Sequence, residues 1–480
     1  MGGRCAAVAI AVAAIAAGCA VGPDFKRPAA PAVQGYTPEP LTGATASAAI
    51  TGGEVQHFDP GLDIPGQWWT LFHCESLDRL IELALRNNPD LEAARASLRQ
   101  ANETLYAREG AMFPVATANV GASRQKLAGA VIGQPQFTPT FSVITASLNI
   151  SYVADVFGGT RRQIESVAAQ AESSRFELEA TYLTLTSNLV VAAVEEASLR
   201  GQIAATEQIL AIESRELDLV RQRFAVGVVS QAEVLLQETT LAQTQATLPI
   251  LGKQLALVRN QLSALAGQLP SDAVDGTFEL ASLRLPRELP LSLPSQLVEH
   301  RPDIRSSEAQ LHAASAAVGV ATANQLPQFS ITAGGGATAG SLSAFPGTSV
   351  WNVAGGLGQT LFDAGTLQHN KRAAVAAFDR AAAQYRGTVV TAFKDVADVL
   401  RALQSDAEAL AAQTAAERAA HASLELAQQQ FQADTTDYLT VLTAERAWQQ
   451  ARIALVQAQA NRYSDTAALF QALGGGWWNR

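Results

Sequence analysis

Two stretches of this 480-residue chain contain no Asp, Glu, Lys or Arg: residues 127–154 and residues 309–362. Within the first, Ile144, Ala146, Leu148, Ile150 and Tyr152 alternate with Thr145, Ser147, Asn149 and Ser151. This is the two-residue period of a strand with one apolar and one polar face. Within the second, Phe329, Ile331 and Ala333 alternate with Ser330 and Thr332, and Trp351, Val353 and Leu357 with Asn352, Ala354 and Gly356. Residues 115–124 supply a fourth, weaker strand. A soluble sheet also alternates, but its outward face carries Lys and Glu; here the polar face is Ser, Thr, Asn and Gly. The apolar face is expected to carry aromatics near its ends, at Phe141, Tyr152, Phe329 and Trp351. Hydrocarbon offers no partner to a backbone N–H or C=O, so strands that cross it must close into a barrel, and a cation on the lipid face costs ~2–4 kcal/mol at the midplane. Ile144, Leu148, Ile150, Tyr152, Phe329, Ile331, Trp351 and Val353 are therefore expected to face lipid. Four strands cannot close, since the smallest such barrels use about 8. Several copies of the chain must share one barrel.

The two tracts correspond because the chain is duplicated. Asn88-Pro89-Asp90-Leu91 and Arg301-Pro302-Asp303-Ile304 each open a helical pattern; Pro302 lies 213 residues after Pro89, and Pro327 213 after Pro114. Further on, Phe224-Ala225-Val226-Gly227 with Val234, Leu235 and Glu238 returns, 207 residues later, as Phe431-Gln432-Ala433-Asp434 with Val441, Leu442 and Glu445. Landmarks repeating in one order define two homologous segments, 66–280 and 281–480, each a helix, a β-hairpin and a long helical hairpin.

Between strands and hairpin turns lie 63 residues without proline, 160–222, and 67 more, 366–432. At ~1.5 Å per residue such helices would run roughly 95–100 Å. Apolar residues seven apart mark seams at Leu178 and Leu185, at Ile203, Leu210, Leu217 and Phe224, and at Val389, Val396, Leu403 and Leu410. The helix after Gly227 shows two seams: Val234, Leu241, Leu248, Leu255 and Leu262, and Leu251, Val258 and Leu265. Two seams suit a helix packed on both sides, as in the wall of a cylinder. Pro249 is expected to kink it.

The start of the chain reads as an address. Arg4, the apolar run of residues 5–17, then Gly18 and Cys19 form a secretory signal peptide, 1–18, too short to span a bilayer. Residues 16–19 resemble a bacterial lipobox, which makes Cys19 the acceptor of a diacylglycerol and an N-acyl chain. Ala20 follows it rather than the Asp that retains lipoproteins in the inner membrane. Residues 19–65, rich in Pro, Gly, Ala and Thr, are expected to form a lipidated, extended tether with few contacts. Cys74 is then the one thiol of the body, so no disulfide framework is available.

These residues resemble the outer membrane factor family, the TolC-like, NodT-type lipoproteins of tripartite efflux systems. The matching pieces are residues 19–25, Trp68-Trp69 with Leu71-Phe72, Asn88-Pro89-Asp90 and Phe157-Gly158. They continue with Arg301-Pro302-Asp303-Ile304, Gly319-Val320-Ala321, residues 361–365, and Tyr438-Leu439 with Val441-Leu442. The resemblance implies a mostly α fold with a membrane β-barrel: a homotrimer with four strands per protomer in a 12-stranded barrel, continued by an α-helical barrel through the periplasm. It implies an outer-membrane efflux channel, anchored by lipid and embedded by its barrel. A periplasmic adaptor would meet the tips at Gly227, Val228, Thr435 and Thr436, and an inner-membrane pump of the resistance-nodulation-division type would supply the energy. Relatives often carry Asp at the positions of Thr440 and Thr443; with Thr there, Glu233, Asp434 and Asp437 are the candidate acids of a constriction. The same two aspartates also suit helix caps and turns.

Other chemistries find no support. The net charge of −10 gives no footprint for nucleic-acid phosphates. No HExxH, CxxC, GxSxG or Walker A pattern occurs, and the six histidines lack ligand spacing. No cofactor, metal or catalytic set is expected. Gly334-Gly335-Gly336 reads as barrel wall. The other reading the helices alone would allow is a lipid-anchored periplasmic coiled-coil adaptor or spacer without a pore.

Overall fold

The computed structural model describes residues 20–480 except 34, 40, 41, 129–132, 134–137 and 273–275. The leader and Cys19 lie outside the described residues. In chain order the elements are β1 (His57–Asp59), α1 (Glu75–Asn87), α2 (Pro89–Glu109), β2 (Val115–Lys126), β3 (Thr140–Ala154), α3 (Gly159–Ala225) and α4 (Gln231–Leu265). Then follow β4 (Glu288–Pro290), α5 (Pro294–His300), α6 (Pro302–Ala323), β5 (Gln328–Ala339), β6 (Thr348–Gly358), α7 (Thr366–Gln432) and α8 (Tyr438–Ala472). Corresponding helices match in length: α3 and α7 each have 67 residues, and α4 and α8 each have 35. Pro249 lies inside α4.

Local chemistry explains the repeated motifs. Asn88 is the residue before α2, where its Oδ1 accepts the Leu91 N–H at 3.0 Å and its Nδ2 donates to the Leu265 carbonyl at 2.9 Å. Pro89 then occupies the first helical position, where a missing N–H costs nothing. In the second repeat Arg301 takes over, its guanidinium donating to Asp303, Asp395 and the Ala472 carbonyl.

The chain forms two compact units, and each draws on both repeats. The first comprises the described part of Met1–Pro28, with Ser97–Ser174 and Ser307–Tyr385; the second comprises Ala29–Ala96, Arg175–Ser306 and Arg386–Arg480. The first unit contains a four-stranded antiparallel sheet of order β2-β3-β5-β6. The second holds a short parallel β1–β4 pair and an aromatic core in which Trp68, buried with Trp69 and Phe72, stacks on Phe470 at 5.2 Å.

The N-terminal segment departs from the expectation of few contacts. In the first unit the Val21 N–H donates to the Phe157 carbonyl at 3.0 Å, Asp24 pairs with Arg162 at 2.6 Å, and Phe25 stacks on His312 at 4.4 Å. Gly22 lies so close to Gly319 that a Cβ on it would sit 2.4 Å from the Gly319 Cα. In the second unit the Tyr36 hydroxyl donates to the Ser292 carbonyl, and the Gln56 side chain, fully buried, donates to Pro286 O and Thr466 Oγ1. Apart from the short β1 pairing, this extended backbone finds scattered partners, among them the Arg162, Gln459 and Arg462 side chains, which donate to the Val21, Thr51 and Glu54 carbonyls. Its irregular sequence carries no periodic signal of that.

Among the described residues no helix is long and apolar enough to cross a membrane.

Candidate functional site: the two-faced sheet and the hairpin tips

Strand register decides which side chains share a face. Ala118 pairs with Leu148, Leu148 with Gly335, and Gly335 with Trp351. The next row is Ala116, Ile150, Ala333 and Val353, and below it Tyr152 lies opposite Ile331, and Ala154 opposite Phe329. All eight residues expected to face lipid therefore share one face, and Leu148, Ile331, Val353 and Trp351 are exposed. The opposite face carries Thr117, Asn119, Thr145, Ser147, Asn149, Thr332 and Asn352, with Val143 and Val350. Gly334 to Gly336 lie within β5, in the wall.

Phe141 is a correction. It pairs with Gln125 in an unbroken register, so it shares the face of Val143 and Thr145. Period two puts odd and even positions of one strand on opposite sides, and Phe141 is odd where Ile144 and Tyr152 are even. The outer edges of β2 and β6 have no strand partner among the described residues.

The hairpin turns lie in the second unit and are built alike. At the end of α3 the Gly227 N–H donates to the Phe224 carbonyl and the Val228 N–H to Arg223; at the end of α7 Asp434 donates to Phe431 and Thr435 to Gln430. Both are Schellman closures that need a left-handed residue, and Gly227 and Asp434 have φ of 78° and 54°. Asp437 caps α8, its carboxylate accepting the Thr440 N–H at 2.9 Å and hydroxyl at 2.6 Å, which holds its pKa below the ordinary aspartate value. Arg223 ties the two turns together: it donates to the Phe431 carbonyl and to Asp434 at 3.1 Å each and lies 4.3 Å over the Phe431 ring. Asp434, Asp437, Thr440 and Thr443 are exposed, as are Val228 and Thr435; Glu233 and Thr436 are half-buried. The Thr443 hydroxyl donates to the Leu439 carbonyl.

One seam shifts. Val389, Val396, Leu403 and Leu410 are all buried, as spaced. In α3 beyond Gly201, however, the buried positions are Gln202, Ala205, Thr206, Ile209, Glu213, Leu217 and Val220, while Phe224 is 45% exposed. The heptad reading followed apolar residues, but the packed face includes polar ones.

Three carboxyls, Glu213, Glu216 and Glu445, therefore go into the helix packing, a feature apolar spacing missed. A signal existed: Glu213 lies midway between Ile209 and Leu217, and Glu445 four residues after Val441 and three before Trp448. Burial raises all three above the ordinary glutamate range, Glu213 to about 7 and Glu445 to about 9. Among the described residues no group of His, Cys, Asp or Glu side chains is arranged to hold a metal.

The sequence profile of the outer membrane efflux protein family matches residues 80–268 and 293–475. The chain belongs to the outer membrane efflux protein family. It is 30% identical over 447 residues to the pyoverdine export outer membrane protein OpmQ of Pseudomonas putida, covering 92% of this chain and 94% of that one. It is 29% identical over 471 residues to the toluene efflux pump outer membrane protein TtgC of Pseudomonas putida, covering 97% and 94%. Among solved structures, the outer-membrane channel OprN superposes with a TM-score of 0.85 at 29% identity, covering 96% of this chain and all of that one. The open state of the Neisseria gonorrhoeae MtrE channel gives 0.81 at 25% identity, covering 96% and 99%. This efflux protein is thus a non-enzymatic outer-membrane channel of tripartite efflux pumps with a periplasmic helical part.

Proposed function

We propose that three copies of this chain close one 12-stranded barrel and conduct substrates passively, with energy and selectivity coming from a partner pump. The observation that carries this reading is the sheet: one face apolar except for Arg124 and Lys126 at the far end of β2, the other uncharged and largely polar, and two edges without a strand partner among the described residues. An open edge in hydrocarbon leaves a row of backbone groups without partners, and pairing β2 of one copy with β6 of the next removes it. The face of Asn119, Asn149 and Asn352 then lines water and the face of Leu148, Val353 and Trp351 meets lipid.

The turn residues Gly227, Val228 and Thr435, which are exposed, and Thr436, which is half-buried, are the proposed contacts for a periplasmic adaptor, working with a resistance-nodulation-division pump. Asp434 and Asp437, brought near the axis in each copy, are the proposed acids of the constriction, alongside Glu233, Thr440 and Thr443; Asp437 keeps its charge as a helix cap, whereas Asp434 shares its charge with Arg223. Cys19 is the proposed lipid anchor. Its neighbour Ala20 packs against Gly158, just past the end of β3, where an acyl chain would enter the inner boundary of the bilayer.

The full chain purified in detergent should run as a heat-modifiable trimer and give conducting pores in planar bilayers. Cys19→Ala should lose acyl label yet stay in the membrane. A water-soluble monomer without conductance would overturn the reading.

A further inference from the structure

Near the hairpin turns, residues of α3, α4, α7 and α8 form one packed cluster that includes Ile209, Val234, Leu424, Phe431, Val441 and Trp448. The three carboxyls are set into it. Glu213 and Glu445 are 0% and 1% exposed. One Glu213 oxygen accepts the Thr244 hydroxyl at 2.8 Å and one Glu216 oxygen accepts the Gln428 amide. The other oxygen of each, and both oxygens of Glu445, are buried without a donor. The Tyr438 hydroxyl points to the same conclusion independently: the residue is 4% exposed, its oxygen is buried and unpartnered, and it lies within electrostatic reach of all three acids.

A buried carboxylate with neither cation nor donor is not a stable arrangement, and a carboxyl that keeps its proton is. Glu216 and Glu445 are close enough to share a hydrogen bond once one of them is protonated. The charged and titratable groups around them are few. Arg446 on α8 acts weakly on Glu213 and Glu445, Glu233 on α4 adds negative charge near Tyr438, and Arg215, His421 and Glu425 line a cavity of about 350 Å³ that Glu216 and Tyr438 also face.

We propose that Glu213, Glu216 and Glu445 form a proton-binding latch, which holds α3 against α8 while protonated and loosens the hairpin ends when it ionises. The adjacent cavity gives water a route to the acids as they charge. Because the packed state binds more protons than the loosened one, acid favours packing. Stability is fully present below the ordinary glutamate value and declines as pH rises through about 7 for Glu213 and about 9 for Glu445. The inference rests on helix packing and is independent of the adaptor assignment.

The test uses the full chain in detergent. Infrared difference spectra at pH 7 between wild type and Glu445→Gln should show loss of a protonated-carboxyl C=O band. Amide exchange over residues 205–225 and 438–450, corrected for intrinsic rates, should show the opening constant rising by up to about tenfold per pH unit for each proton released. Glu213→Gln with Glu445→Gln should flatten that slope. Glu216→Gln, at a half-buried site, serves if the double variant does not fold. The latch is refuted if no carboxyl band is lost, if opening in wild type ignores pH, or if the folded variants keep the wild-type slope.

Discussion

A substitution pair at neighbouring positions, Leu148→Arg and Asn149→Arg, tests the two-faced sheet directly. Leu148 lies six residues before Ala154, the base of β3. At ~3.3 Å per residue and a tilt of ~40°, that places it about 15 Å above the base row, near the middle of a ~25 Å apolar band. Its row, Ala118, Leu148, Gly335 and Trp351, has the apolar row of Ile150 and Val353 beneath it and Val120 and Ala146 above. An Arg there should cost ~2–4 kcal/mol per protomer, a roughly thirty- to several-hundred-fold loss of folded protein, or ~6–12 kcal/mol for a trimeric barrel. An Arg at Asn149, on the face with Thr332 and Asn352, enters water and should cost little while shifting pore selectivity toward anions. The assay is refolding from urea into phospholipid vesicles, scored by the heat-modifiable band and by conductance. Equal assembly of both variants, or failure of Asn149→Arg alone, would refute the assignment of faces.

Three further outcomes are expected. Asp437→Ala should speed amide exchange at Thr440 and the first turn of α8, whereas Asp437→Asn, which still accepts the same N–H, should restore protection. Arg223→Gln removes the ion pair to Asp434 and the stack on Phe431, together worth about 1 kcal/mol, and should raise the frequency of open conductance levels; unchanged recordings would remove Arg223 as the tie between the turns. Gly267 and Gly227 have φ of 72° and 78°, but a Cβ on Gly267 would sit 2.3 Å from the Asn87 carbonyl while nothing lies within 4 Å of one on Gly227. Gly227→Ala should therefore cost only the left-handed strain of ~1 kcal/mol, and Gly267→Ala clearly more, as read by thermal unfolding of the trimer.

Much of the architecture was legible because it is written in short-range pattern. A two-residue period gave the four strands, proline-free runs gave α3 and α7, and the matched landmarks around Gly227 and Asp434 gave two turns that close with the same hydrogen bonds. Each of these depends on residues a few positions apart, whose spacing alone sets which way side chains point. Contacts between segments far apart in the chain are not encoded that way. That Glu213 and Glu216 meet Glu445, more than 220 residues later, follows only once α3 and α8 pack. The same holds for the Gln56 side chain buried on α8 and for a sheet in which β3 takes β5 from the other repeat as its neighbour. Local pattern set the elements and, apart from Phe141, the faces of the strands; packing decided the buried face of α3 and which parts share a core, because burial of a polar group depends on what the opposing helix brings to it.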